Sequence, residues 1–196
     1  MSTDTDRLLK NARIRLPGAT DESLYLEMFN VLNEFFQYSN VWKEKIDFPV
    51  LASDPAGTAY TIAPSNPATT IHRLGYVVSS ANITVTAGME IPGQVTLAVP
   101  PTQSDTYTAH VVLTVNDPVT DGFPTFPAWV MHKYYMGLMD GLLGRMMSQP
   151  AKPFTNLQLG AYHQRKFKNM ISFAVSESLR KNTSNTQAWR FPRSFA

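Results

Sequence analysis

The sequence predicts an α+β protein: a helical core of three main helices, an inserted small antiparallel β-lobe and an extended C-terminal arm. Residues 126–181 contain two long stretches with apolar side chains at helical spacing, separated by a connector with two prolines. Residues 45–116 instead alternate apolar and polar side chains in short runs between Pro, Gly, Ser and Asn clusters. Both patterns then stop. We therefore assign residues 1–44 and 117–181 to the core, 45–116 to the lobe and 182–196 to the arm.

The first main helix is predicted from Thr20 or Asp21 to about Tyr38. Either residue can cap a helix, and acidic side chains in the first turn suit the helix dipole. Its apolar stripe consists of Leu24, Met28, Val31, Leu32, Phe35 and Phe36. Before it, a short helix that starts near Leu8 would end at Pro17-Gly18.

The β-lobe is predicted from five alternating runs. Four short runs are centred near Phe48, Tyr60, Val85 and Leu97. The clearest run, residues 106–115, places an apolar side chain at every second position on one face. Antiparallel strands joined by tight turns account for this pattern.

The second main helix follows Pro127, which suits a first helical position, and continues to about Met147. Gly137 and Gly141 lie inside it, one turn apart, and each costs about 1 kcal/mol relative to alanine there. Such a cost indicates a packing requirement. We expect both glycines to face a neighbouring helix that approaches closely.

The third main helix is predicted from a cap at Thr155 or Asn156 to about Lys181, and it is basic. From Arg145 onward the chain has nine Lys or Arg residues and one acid, so its net charge of +2 divides into +8 there and −6 elsewhere. This asymmetry suits contact between copies or with an acidic partner, although a solvated helix face would carry similar charges. The candidate packing or basic-surface residues are Gly137, Gly141, Arg165, Lys166, Lys168, Arg180 and Lys181.

No pattern of catalytic residues is present, so we expect no enzyme, no cofactor and no metal site. The chain has no cysteine, and its four histidines lack metal-ligand spacing. Residues 117–122 form a turn pattern rather than a calcium loop. No apolar run is long enough to span a bilayer, and the N-terminus lacks signal-peptide features, so we expect a cytoplasmically made protein with no membrane partner.

The C-terminal arm follows a polar linker and combines aromatic and basic side chains. Its candidate binding residues are Trp189, Arg190, Phe191, Pro192, Arg193 and Phe195. Trp and Arg are frequent in binding hot spots, and the proline favours an extended segment. An arm folded back on its own subunit is the alternative.

The order of these elements resembles the head-to-tail connectors of tailed bacteriophages, which are adaptor or head-completion proteins of short- or long-tailed phages. The resemblance covers nearly the whole chain and rests on architecture and loose motifs. These are Leu8–Arg15 leading into Leu16-Pro-Gly-Ala-Thr-Asp21, the acidic-capped helix ending in Asn33-Glu-Phe-Phe-Gln-Tyr-Ser-Asn-Val-Trp42, the β-insert, the helix after Phe126-Pro-Ala-Trp129, Pro150-Ala-Lys-Pro153, Tyr162-His-Gln-Arg-Lys-Phe-Lys168 and Trp189-Arg-Phe-Pro192.

The resemblance implies a structural virion protein of the neck, assembled in the host cytoplasm as a dodecameric ring that joins the portal vertex of the capsid to the tail. Its partners would be further copies of itself, the portal protein and a tail nozzle or tail tube protein. The C-terminal arm would contact the portal protein. Genomic DNA would pass through the ring during ejection without sequence-specific contact.

Two other classes remain open. A tail-associated receptor- or carbohydrate-binding module would present aromatic side chains on the β-lobe, where only Tyr60, Tyr76 and Tyr107 follow Phe48. An enzyme such as a wall hydrolase would require a carboxylate pair or metal site that the sequence does not reveal.

Overall fold

A computed structural model describes residues 4–116 and 126–182, and the side chains of residues 6–116 and 126–180. In these parts the elements are α1 (Asp4–Arg15), α2 (Asp21–Ser39), β1 (Lys43–Val50), β2 (Ala59–Thr61), β3 (Thr69–Val78), β4 (Thr84–Val85), β5 (Ala87–Ile91), β6 (Gln94–Leu97), β7 (Asp105–Val115), α3 (Ala128–Met147) and α4 (Leu157–Asn182).

Helix α3 is the centre of the helical core, because α1, α2 and α4 all pack against it. Its buried apolar side chains extend around most of its circumference, as expected for a helix covered on several sides. The aromatic rings of Phe35 on α2 and Tyr134 on α3 lie 5.0 Å apart, and Phe35 also contacts Phe36. These rings fill the space between α2 and α3.

Side-chain caps fix where two of the helices begin. The Thr20 hydroxyl accepts a hydrogen bond from the Ser23 N–H, so Thr20 caps α2. Asn156 caps α4, since its Oδ1 accepts from the Leu159 N–H at 3.0 Å. Thr155 instead donates to the Gln149 carbonyl within the connector.

The strands form two antiparallel sheets, one of four strands in the order β1-β7-β3-β4 and one of three in the order β2-β6-β5. The sheets bury a shared apolar core made of Phe48, Val50, Tyr60, Ile62, Ile71, Val77, Val95, Leu97, Ala109, Val111 and Leu113. The other face of β7 packs against α2, where Thr114 is buried and hydrogen-bonded to Asn33. The four-stranded sheet therefore lies between the small sheet and the helices.

The protein is mixed α+β, but the prediction of three main helices with one small antiparallel lobe is wrong, since the described residues form four helices and two sheets. Helix α1 is twelve residues long and buries Leu8, Leu9 and Ala12 in the helical core, so it is a full member of that core. Strand β3, which was not predicted, is the neighbour of β7. The predicted extended arm lies outside the described residues.

Candidate functional site

The outward face of α4 is the most distinctive exposed surface of the helical core. Tyr162 and Phe173 are 51% and 58% exposed on this helix. Four cations share the exposed surface of α4: Arg165, Lys166, Lys168 and Arg180. We call Tyr162, Phe173 and these cations the α4 face. Its aromatic side chains stand on a rigid helix, which suits a protein interface.

Lys166 and Tyr162 form a local cation–π pair on the α4 face. The Lys166 ammonium lies 4.8 Å from the centroid of the Tyr162 ring, as i and i+4 spacing on a helix permits. A hydrogen bond to Tyr162 and the nearby charge of Asp140 raise the pKa of Lys166. Lys166 is therefore firmly charged at neutral pH.

The opposite side of α4 packs closely on α3 through the glycines that the sequence singled out. A methyl group on Gly137 would lie 2.4 Å from Cγ of Met170 on α4. One on Gly141 would lie 2.8 Å from Cγ1 of Val31 on α2 and 2.9 Å from Cδ2 of Phe167 on α4. The structure thus places both glycines against other helices, where a side chain would not fit without movement.

A buried ion-pair geometry links the same two helices. His163 Nδ1 on α4 lies 2.7 Å from Asp140 Oδ1 on α3, and the two side chains are only 11% and 13% exposed. The sequence gives no sign of this pair, because His163 and Asp140 are 23 residues apart in the chain and meet only when the helices pack. The pair supplies an orienting contact between α3 and α4 that no spacing rule would reveal.

The predicted charge asymmetry is partly neutralised inside the subunit. Arg145 on α3 binds Glu34 at 2.6 Å and lies 3.6 Å from Glu27, both on α2. The single acid of the basic half, Glu177, pairs with Lys133 at 2.7 Å. These ion pairs therefore match Arg145 and Lys133 with acids of the same subunit.

The remaining predicted site residues have different positions. Lys181 belongs to α4, but its side chain lies outside the described residues. The predicted arm residues, Trp189 to Arg193 and Phe195, lie outside them as well, as do residues 117–122. Of the predicted site residues, the two glycines therefore lie at the contact between α3 and α4, and four of the basic residues lie on the exposed surface of α4.

Within the described residues, no group of three or more His, Asp or Glu side chains is arranged to hold a metal ion. No described helix has the length and low polarity needed to cross a bilayer. No protein-family model matches the chain, and no curated protein matches it.

Proposed function

We propose that the protein is a structural virion component that forms a ring between the portal vertex of a tailed-phage capsid and the tail, and that this ring forms part of the DNA passage. The observation that carries the proposal is the α4 face. Large aromatic side chains there stand among cations on the outside of the core, where they gain burial only by meeting another protein. The order of elements described from the sequence supports the connector class.

The partners proposed are further copies of the chain, the portal protein, and a tail nozzle or tail tube protein. A surface of arginine, lysine and tyrosine fits an acidic protein surface, because Arg and Tyr are enriched at interfaces and the cations steer association. The same cations are compatible with DNA that passes through the ring, since their electrostatic contacts with phosphates do not depend on the base sequence. The proposed location is the neck of the virion, after assembly in the host cytoplasm.

The receptor- or carbohydrate-binding alternative has less support. Of the lobe aromatics, Phe48 and Tyr60 are buried between the sheets and Tyr107 is half-buried. Tyr76 is exposed, but it stacks on His110, with ring centroids 4.1 Å apart. One exposed tyrosine among the described lobe residues offers little of the aromatic platform on which a sugar would stack.

The test is complex formation between the purified protein and purified portal protein, followed by negative-stain microscopy and native mass spectrometry. We expect rings of the protein seated on the portal. Phe173→Asp should weaken the assembly by about thirtyfold per contact, the usual loss for a central aromatic anchor. Ile14→Asp is the matched control, because Ile14 is also a large exposed apolar residue on a helix, being 81% exposed, but it lies on α1 and not on the α4 face.

A protein that forms no ring with or without portal would contradict the proposed function. Equal weakening by Phe173→Asp and Ile14→Asp would remove the α4 face as its basis. Circular dichroism of both variants verifies that they remain folded.

A further inference from the structure

A groove lies where the helical core meets the four-stranded sheet, away from the α4 face. Its volume is about 180 Å³. Ser39 and Asn40 line it from the end of α2, Ser178 lines it from the last turns of α4, and Lys43, Arg73 and His110 line it from the sheet. The Ser178 hydroxyl donates to the Asn40 carbonyl at 3.0 Å and so ties the two helix ends together. We call this cavity the junction groove.

Strand register concentrates positive charge on the sheet side of the junction groove. Lys43 on β1 and Arg73 on β3 are both register partners of Val112 on the intervening strand β7. Two residues along, Lys45 is the partner of His110. Side chains two apart in a strand share a face, so four basic groups from three strands lie in adjacent rows on one face of the sheet.

These basic groups have no acidic partner within the part of the chain that the structure describes. The side chains of Lys43 and Arg73 form neither an ion pair nor a hydrogen bond there, whereas Arg145 and Lys133 of the helical core are both paired. Burial and the charge of Arg73 lower the pKa of Lys43, and burial and the charge of Lys45 lower the pKa of His110. The cluster is therefore under mutual repulsion, which an anion would relieve.

We propose that the junction groove binds a carboxylate side chain carried by an acidic segment of a partner protein. Arg73 offers a planar fork of donors for it, and Lys43 a second cation. The Ser39 hydroxyl, which is buried and has no hydrogen-bond partner among the described residues, adds a polar group to the same wall. This inference does not depend on ring formation.

Three features favour a protein carboxylate over a phosphate. The groove lies beside the C-terminal end of α2, whose partial negative charge disfavours a doubly charged group more than a single carboxylate. Val175 and Leu179 of α4 also line the groove, and they offer an apolar wall to the residues flanking the acid. A cavity of about 180 Å³ accommodates a side chain and its neighbour rather than a nucleic-acid strand.

The test uses a fluorescein-labelled octapeptide with blocked ends, two adjacent glutamates and flanking leucines, titrated with the full chain at low salt and followed by fluorescence anisotropy. We expect Arg73→Gln to weaken binding by about tenfold or more, since a charged hydrogen bond is lost. Lys43→Gln should weaken it in the same direction. Lys152→Gln, which removes an exposed cation of the α3–α4 connector, should leave binding unchanged.

The inference is overturned if the peptide with glutamine in place of glutamate binds equally well, or if both groove variants bind like the wild type while circular dichroism shows them folded. A single-stranded oligothymidine that binds the groove more tightly than the peptide would assign the site to phosphate and overturn the carboxylate assignment.

Discussion

Replacing Gly141 with leucine is expected to destabilise the protein, because three helices meet at this residue. The added Cβ alone would lie 2.8 Å from Val31 Cγ1 on α2 and 2.9 Å from Phe167 Cδ2 on α4. Both distances are shorter than real carbon contacts. The neighbours are stiff: valine has one strongly preferred rotamer in a helix, and the phenylalanine ring is buried.

The expected magnitude follows from two opposed effects. Overpacking a filled core costs about 1–3 kcal/mol, and stiff neighbours place this site at the upper end. Leucine recovers somewhat less than about 1 kcal/mol because it favours the helix more than glycine does. The net loss is about 2 kcal/mol, which lowers the melting temperature by about 4–8 °C in a chain of this length.

The assay is urea unfolding followed by tryptophan fluorescence, together with thermal unfolding followed by circular dichroism. Met136→Leu is the matched control, because Met136 lies on the same helix, five residues before Gly141, and is 63% exposed. It should change the free energy of unfolding by no more than about 0.5 kcal/mol. A melting temperature for Gly141→Leu equal to or above that of the wild type would refute the packing argument.

Three further predictions concern charge, pH and the arm. Arg145→Ala should lower the free energy of unfolding by about 2 kcal/mol, because it leaves two half-buried glutamates without their cation. The control Arg13→Ala breaks an exposed ion pair and should lower it by less than about 1 kcal/mol in the same urea titration. The pKa values of His72 and His110 are lowered by burial and by nearby cations, so the unfolded chain binds more protons than the folded chain below about pH 6.5. The free energy of unfolding should therefore be at its full value above about pH 6.5 and fall below it, and it should fall less in the His72→Gln/His110→Gln double variant. Identical pH profiles for the two proteins would contradict this. Deleting residues 186–196 should leave a folded protein that no longer binds portal in a pull-down assay; full binding would mean that the arm belongs to its own subunit.

The long helices were predictable because their local signals agree with their packing. Helices α2, α3 and α4 begin and end within about two residues of the predicted bounds, since each has a cap or proline at its start and a sustained apolar period. Helix α1 was underestimated. Leu8, Leu9 and Ala12 are a short apolar set among charged and polar residues, so the stability of α1 depends on its contact with α3, which the local sequence does not reveal.

Strand β3 was missed because its alternation is interrupted twice. The register against β7 shifts between Ile71 and Arg73 and again between Leu74 and Tyr76. Each extra residue in a bulge reverses the face of the following side chains, so the sequence lacks a simple two-residue period. The runs near Tyr60 and Leu97 did predict β2 and β6, but not β5 or the separation of these strands into a second sheet, because strands of three to five residues carry no signal of which neighbours they pair with.

The candidate sites also differ in how far the sequence alone could predict them. Arg165, Lys166 and Lys168 of α4 lie close together in sequence, and their shared exposure could be predicted from helical period alone. The His163–Asp140 pair and the junction groove could not, because they depend on how α4 lies against α3 and the sheet. Lys43 and Arg73 become neighbours only through their common partner on β7.

The base of the β-lobe has a consequence for how such a protein can change in evolution. The strands that enter and leave the lobe are antiparallel neighbours, and the Leu113 N–H donates to the Trp42 carbonyl at 2.9 Å beside the helical core. At the other end of this strand pair Val50 lies opposite Asp105. Residues 51–104 therefore begin and end at the same hydrogen-bonded strand pair, β1–β7. Insertions or deletions in the loops that join the strands beyond that point leave the spacing between the end of α2 and the β7 residues that pack on α2 unchanged. The lobe can therefore diversify in length and surface while the helices keep their arrangement.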